Sequence, residues 1–353
     1  MFLAIKEIKH EKLRYGLIIG MIVLISYLIF VLTSLALGLA NSNTDAIKSW
    51  NAQSIVLNKD SNISLGQSII TEDQAKNIKL SSKDAYIGQS SVVAKSKGVD
   101  QISATYLGID KDQYLYKDLK LTSGHKATKA HEVVADEKFE QSGYKLGDKI
   151  KLNSLKDKYT IVGFTKNAKI NVAPILYGRI SDWQEIKGMG TTLAASAVVS
   201  QNQKTDFSDA NLKNYPIQKF IDKLPGYSAQ NSTFTFMIAF LMIISLIVIA
   251  VFLYILTIQK IPNYAVLRAQ GIPAKVLIKT TIAQSVILVI SGLVIGTILT
   301  ILTAIGIPTS VPMSFNIPLL SLVAIGLVLT SILGSLVPIR TILKVDPVEV
   351  IGG

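Results

Sequence analysis

Four stretches of this 353-residue chain, at 16–40, 234–258, 280–305 and 317–339, contain no Asp, Glu, Lys, Arg or His. A helix of about 20 apolar residues spans the ~30 Å hydrocarbon core of a bilayer. All four stretches exceed that length, which excludes a soluble protein and a β-barrel. The expected fold class is therefore integral membrane α-helical, with four transmembrane helices.

Charge is distributed in the opposite sense. Of 36 Lys+Arg, 26 lie between 41 and 228, and so do 20 of 24 Asp+Glu. One large polar domain, 41–233, is thus inserted between helices 1 and 2. The formal net charge of +12 is split evenly between this domain and the rest. No Lys/Arg cluster interleaved with aromatics appears, so nucleic acid is not an expected partner. There is no cysteine, which removes disulfides, thiolate nucleophiles and Cys-ligated metals and suits an exported bacterial domain.

Basic residues sit at Lys6, Lys9, Lys12 and Arg14, at Lys260, Arg268, Lys275 and Lys279, and at Arg340 and Lys344, while the loop 306–316 is uncharged. Lys and Arg in short loops mark the cytoplasmic side. Four crossings with both termini inside satisfy every loop and place 41–233 outside, on a multi-pass protein of a bacterial cell membrane. The first stretch exceeds the 7–15 residues of a signal-peptide core. Residues 1–15 alternate apolar and charged groups, as expected of an interfacial helix lying against membrane lipids.

The spans hold no ionisable group that could bind and release a coupling ion. Gly292 and Gly296, with the related spacing Gly326 to Thr330, read as close helix packing. No G-K-[ST] phosphate loop occurs, so the chain is no enzyme by itself, and energy for uphill movement has to come from a partner. Within the cytoplasmic segment 259–279, Pro262 suits a first helical turn, Ala265 to Ala269 favour helix, and Gly271 followed by Pro273 ends it. The expectation is a short stiff helix tied to two membrane helices. A 14-residue tail, 340–353, follows the last span.

In the outer domain, runs at 54–57, 86–94, 102–109, 149–152, 159–164 and 195–199 read as strands. Segments 74–79, 137–142, 182–187 and 217–224 read as helices, with Asp136–Glu137 as a helix start, giving an α+β domain. No catalytic constellation appears. His125 and His131 read as surface histidines, and no free metal ion is expected.

Tyr264-Ala265-Val266-Leu267-Arg268-Ala269-Gln270-Gly271-Ile272 resembles the coupling-helix signature of FtsX/MacB-type permeases of ABC transporters. Pro338-Ile339-Arg340…Asp346-Pro347-Val348-Glu349-Val350 is similar to their closing segment. Val133-Val134-Ala135-Asp136-Glu137…Leu146-Gly147-Asp148…Tyr159–Phe164 and Ala173–Tyr177 resemble the core of their MacB-type extracellular domain. Asn263 stands where that family usually carries Glu, and Gln270 where it has an apolar residue. The segment around Tyr264, with the final Ile351-Gly352-Gly353, resembles the HrtB haem-exporter branch most closely.

The resemblance implies a permease, homodimeric and bound to two copies of a separate ATPase, that takes ATP on the partner and has no intrinsic cofactor. Tyr264, Leu267, Arg268 and Gly271 would couple it to that ATPase. The implied cargo is haem, held against Trp50, Tyr177, Phe234 and Met237, whose sulfur can ligate iron. The other implied readings are an exporter or sensor of a peptide, antibiotic or lipid, and an FtsX-type transmitter that moves no cargo.

Overall fold

The computed structural model describes residues 11–188, 192–308 and 311–343. They form two compact units, Leu39–Gln230 and the pair of segments Met1–Gly38 and Asn231–Gly353.

Among the described residues, four helices are long and apolar enough to cross a membrane: Lys12–Ser49, Tyr227–Gln259, Ala274–Gly306 and Ile317–Leu343. The last consists of Ile317–Gly334 and a tail helix, Leu336–Leu343. Its start is set by Asn316, whose Oδ1 accepts from the Leu319 amide at 3.1 Å, with proline in the first turn. Lys12–Tyr15 are the first turn of the first membrane helix, not the end of a separate interfacial helix; the rest of that expected helix, residues 1–10, lies outside the described residues.

The first and second helices also outrun their uncharged stretches, to Ser49 and back to Tyr227. Polar residues continue the first helix by bonding backwards along it. Asn43 Nδ2 donates to the Leu39 carbonyl at 3.0 Å, and Thr44 Oγ1 to that of Ala40 at 2.8 Å. Loss of hydropathy therefore marks the edge of the apolar stretch and not the helix end.

All four helices contribute to one core, including Ile22, Ile29, Leu253, Val289 and Leu327. Hydrocarbon supplies no hydrophobic drive between helices, so close approach of small residues matters. A Cβ on Gly292 would strike Ile22, and one on Gly296 would strike Ser26 of the first helix. Tyr27 Oη and Thr303 Oγ1 share a 2.9 Å hydrogen bond at the same contact. These glycines serve intramolecular packing, as their spacing predicts.

The outer unit is organised around β1 (Ser54–Asn58), β2 (Asp84–Lys95), β3 (Ile102–Ile109), β4 (Glu132–Asp136), β5 (Lys149–Leu152), β6 (Lys158–Thr165), β7 (Ala173–Arg179), β8 (Ala197–Ser200) and β9 (Leu212–Pro216). Pairing runs β7-β4-β6-β5-β2-β3 and returns to β7, a closed ring that is parallel at β3/β7 and β4/β6 and antiparallel elsewhere. The first half of the long β2 instead pairs with β8, which continues to β1 and β9.

Side chains alternate along the strands. Tyr106, Val133, Ala135, Tyr159, Ile161 and Leu176 fall in one buried cluster, and Leu107, Val134, Ile175 and Tyr177 in another. The second cluster also takes Ala46, Ile47 and Trp50. The expected helix at 74–79 is shorter than its composition suggests. A Thr71/Gln74 capping box starts Glu72–Ala75, and Ile78–Lys79 then pairs as strand with Asp206–Phe207 because Ile78 buries beside Val56 and Val198.

Candidate coupling and cargo sites

The connection between the second and third membrane helices folds as its punctuation predicts. A helix spans Ile261–Ala269, separated from the second membrane helix by Lys260 alone, with Pro262 in its first turn. Gly271 sits at φ +88°, and the amides of Gly271 and Ile272 return to the carbonyls of Arg268 and Leu267 at 3.0 and 3.1 Å. Such paired bonds satisfy terminal carbonyls and stop a helix. Pro273 then caps the third membrane helix.

The four residues expected to couple to an ATPase have distinct positions. Tyr264 is buried against Leu277 of the third helix and Ile342 of the tail helix, with Leu267 and Ile278 packed on that cluster. Arg268 lies in the last turn, where a cation complements the helix dipole. Val266 and Gln270 are exposed. The short helix is therefore fixed to three neighbouring elements, and Tyr264 is an internal anchor.

Sequence reasoning missed Lys260, which counted only as a topogenic charge. It is 6% exposed, and its Nζ donates to Tyr15 Oη at 2.7 Å while lying 5.3 Å from that ring's centroid. The bond ties the first helix to the start of the short helix. A partner 245 residues away leaves no local sequence signal.

The four residues expected to hold cargo fall into two pairs. Trp50 and Tyr177 lie in the outer unit, each 2% exposed, with Trp50 Nε1 donating to Tyr177 Oη at 3.3 Å. They are core residues that also line a cleft of about 430 Å³ together with Asp118, Lys120 and Lys166. Phe234 and Met237 lie in the membrane unit, one turn apart on the second helix, Phe234 half-buried and Met237 exposed beside exposed Phe236 and Phe240.

The outer unit holds its own buried acid. Asp136 caps the helix Glu137–Gln141, accepting from the amides of Lys138 at 3.0 Å and Ala168 at 3.1 Å. Burial nevertheless pushes its carboxyl up to about 6. Burial likewise raises Asp182, which accepts from the His131 amide at 2.9 Å. His131 also reaches Glu185 at 3.3 Å, whereas His125 bonds only locally. Among the described residues no group of three His, Cys, Asp or Glu could hold a metal ion.

Residues 235–347 match the family described as FtsX-like permease C-terminal. The matched segment contains most of the second membrane helix, the short helix Ile261–Ala269, the third membrane helix and the fourth span. Over its full length the chain aligns with the putative hemin transport system permease protein HrtB of Staphylococcus epidermidis, at 26% identity across 100% of this chain and 99% of the relative. The Staphylococcus haemolyticus protein of the same name is 24% identical over the same shares. Among solved structures, the periplasmic region of MacB from Actinobacillus actinomycetemcomitans aligns at TM-score 0.34 and 14% identity, covering 48% of this chain and 90% of that one. The extracellular domain of the ABC-type transporter YknZ from Gram-positive bacteria gives TM-score 0.32 and 14% identity over 43% and 83%.

Proposed function

We propose that this permease is the membrane subunit of an ABC-type exporter that removes haem from the membrane. The observation that carries the reading is the short helix Ile261–Ala269, stopped at both ends, joining two membrane spans and anchored through Tyr264 to the third helix and the tail helix. Full-length alignment with putative hemin transport permeases supports the cargo.

In this reading the chain is a homodimer on two copies of a separate ATPase, with both termini cytoplasmic and the outer unit outside. ATP binding closes the ATPases against the short helix. Displacement enters the second helix through Lys260 and the third through Pro273, and Tyr264 carries it to the tail helix. A short helix whose turns are hydrogen-bonded at both ends moves as a body, so little of the displacement is lost in bending.

Haem is an amphipathic macrocycle that partitions into the outer leaflet. Phe234 and Met237, with Phe236 and Phe240, give the second helix an aromatic and thioether face suited to it; the sulfur of Met237 would ligate iron. With no charge in the spans, a purely ionic cargo has no site there. The test is the haem tolerance of a strain lacking the gene. Growth should fail at haem concentrations that the parent and a complemented strain tolerate. Normal tolerance, together with no Soret shift when haem is added to the purified protein, removes haem as cargo and favours a transmitter that moves none.

A further inference from the structure

Inside the outer unit, a two-residue hairpin grips the outer end of the first helix. Lys169–Ile170 pairs with Ala173–Pro174, leaving Asn171 and Val172 as the whole turn. Both have positive φ, +49° and +66°. That is the pattern of a tight hairpin turn, which favours Asn-Gly because a Cβ in the left-handed region is strained and a branched one most of all. Asn171 fits; Val172 does not, and it is 47% exposed, so no core packing explains its choice.

The turn is held by the helix. The Val172 amide donates to the carbonyl of Ser42 at 3.0 Å, and the Asn171 amide to that of Asn43 at 3.2 Å. Asn43 Nδ2 in turn donates to Gln230 Oε1 at 3.1 Å, at the outer end of the second helix. One residue thus joins the hairpin to both helical stalks. A few residues further on, Ala46, Ile47 and Trp50 are built into the domain core, so the stalk stays attached whether or not the hairpin is docked.

We propose that the Asn171–Val172 hairpin is a strained latch, closed on the first stalk at rest and released when the membrane helices move. The strain at Val172 opposes the two hydrogen bonds and brings the docked and released states close enough in energy for helix motion to choose between them. This inference rests on the mechanical-coupling reading above.

The test is amide hydrogen exchange on the full chain in lipid nanodiscs with its ATPase. In Val172→Asn, which tolerates the left-handed conformation, exchange at positions 171 and 172 should slow about tenfold, the order of the penalty relieved. In the wild type the same amides should exchange faster under turnover with ATP than without nucleotide. The chain has no cysteine, so Ser42→Cys with Val172→Cys gives a clean cross-link, which should stop ATP-driven turnover until reductant is added. Unchanged or faster exchange in Val172→Asn overturns the latch. So do equal protection with and without ATP, a pair that does not cross-link at rest, and full turnover by the cross-linked protein. Failure of the coupling reading would look different: no amide anywhere in the chain would respond to ATP.

Discussion

Asp136 shows how one buried carboxyl sets a pH dependence. Its folded value of about 6 lies above the ordinary 3.8, so the folded state holds the proton more tightly than the unfolded chain. Stability contributed by this group therefore falls as pH rises from about 4 to about 6, by ~3 kcal/mol in all, and is level above that. Both tryptophans, Trp50 and Trp183, belong to the outer unit, so tryptophan fluorescence follows its melting alone. Asp136→Asn should flatten the pH dependence of that melt between pH 4 and 6; an unaltered profile would count against the burial argument. Trp50 and Tyr177 are tested in the same way. Trp50→Ala should destabilise the outer unit by about 3–5 kcal/mol, and Tyr177→Phe by about 1–3 kcal/mol through the unpaired indole N–H, read from the Trp183 signal in the first case. Sequence alone placed Trp50 near the cargo because it is aromatic and close to the end of a membrane stretch, and Tyr177 because the base of the domain could face the membrane. Neither property distinguishes a lining residue from one that the strand pleat turns into the core.

The elements were legible where one physical signal dominates. An uncharged stretch fixes a membrane helix, and Pro262 and Gly271 fix the ends of the short helix between the second and third spans. Strand β4 runs directly into the helix that Asp136 caps, and its residues did not read as a strand. Nor did those of β7, which is buried at five consecutive positions. The outer stalk was missed because polar side chains capped the helix from within. For the coupling helix, Leu267→Pro should abolish stimulation of the partner ATPase while leaving membrane insertion intact, since proline costs a helix interior about 3 kcal/mol. Gly271→Val should impair coupling less severely. Its Cβ would meet nothing within 4 Å, so the penalty is the left-handed backbone alone, about 1–2 kcal/mol. Gly271→Asn should largely restore function. Equal loss in the Asn and Val variants would show that φ is not what matters there.

At the scale of the whole molecule, the charge asymmetry predicts an orientation. A reporter fused after Lys97 should read outside and one after Gly271 inside; reversal of either breaks the four-helix topology. The central claim is that a cytoplasmic ATPase drives this chain against haem through the short helix. It is tested most directly by reconstituting the chain with its ATPase in nanodiscs and measuring ATP hydrolysis as haem is titrated. Haem should stimulate hydrolysis several-fold, and Leu267→Pro should remove the stimulation while the Soret shift of bound haem remains. Hydrolysis indifferent to haem, or equally stimulated in Leu267→Pro, would contradict the account.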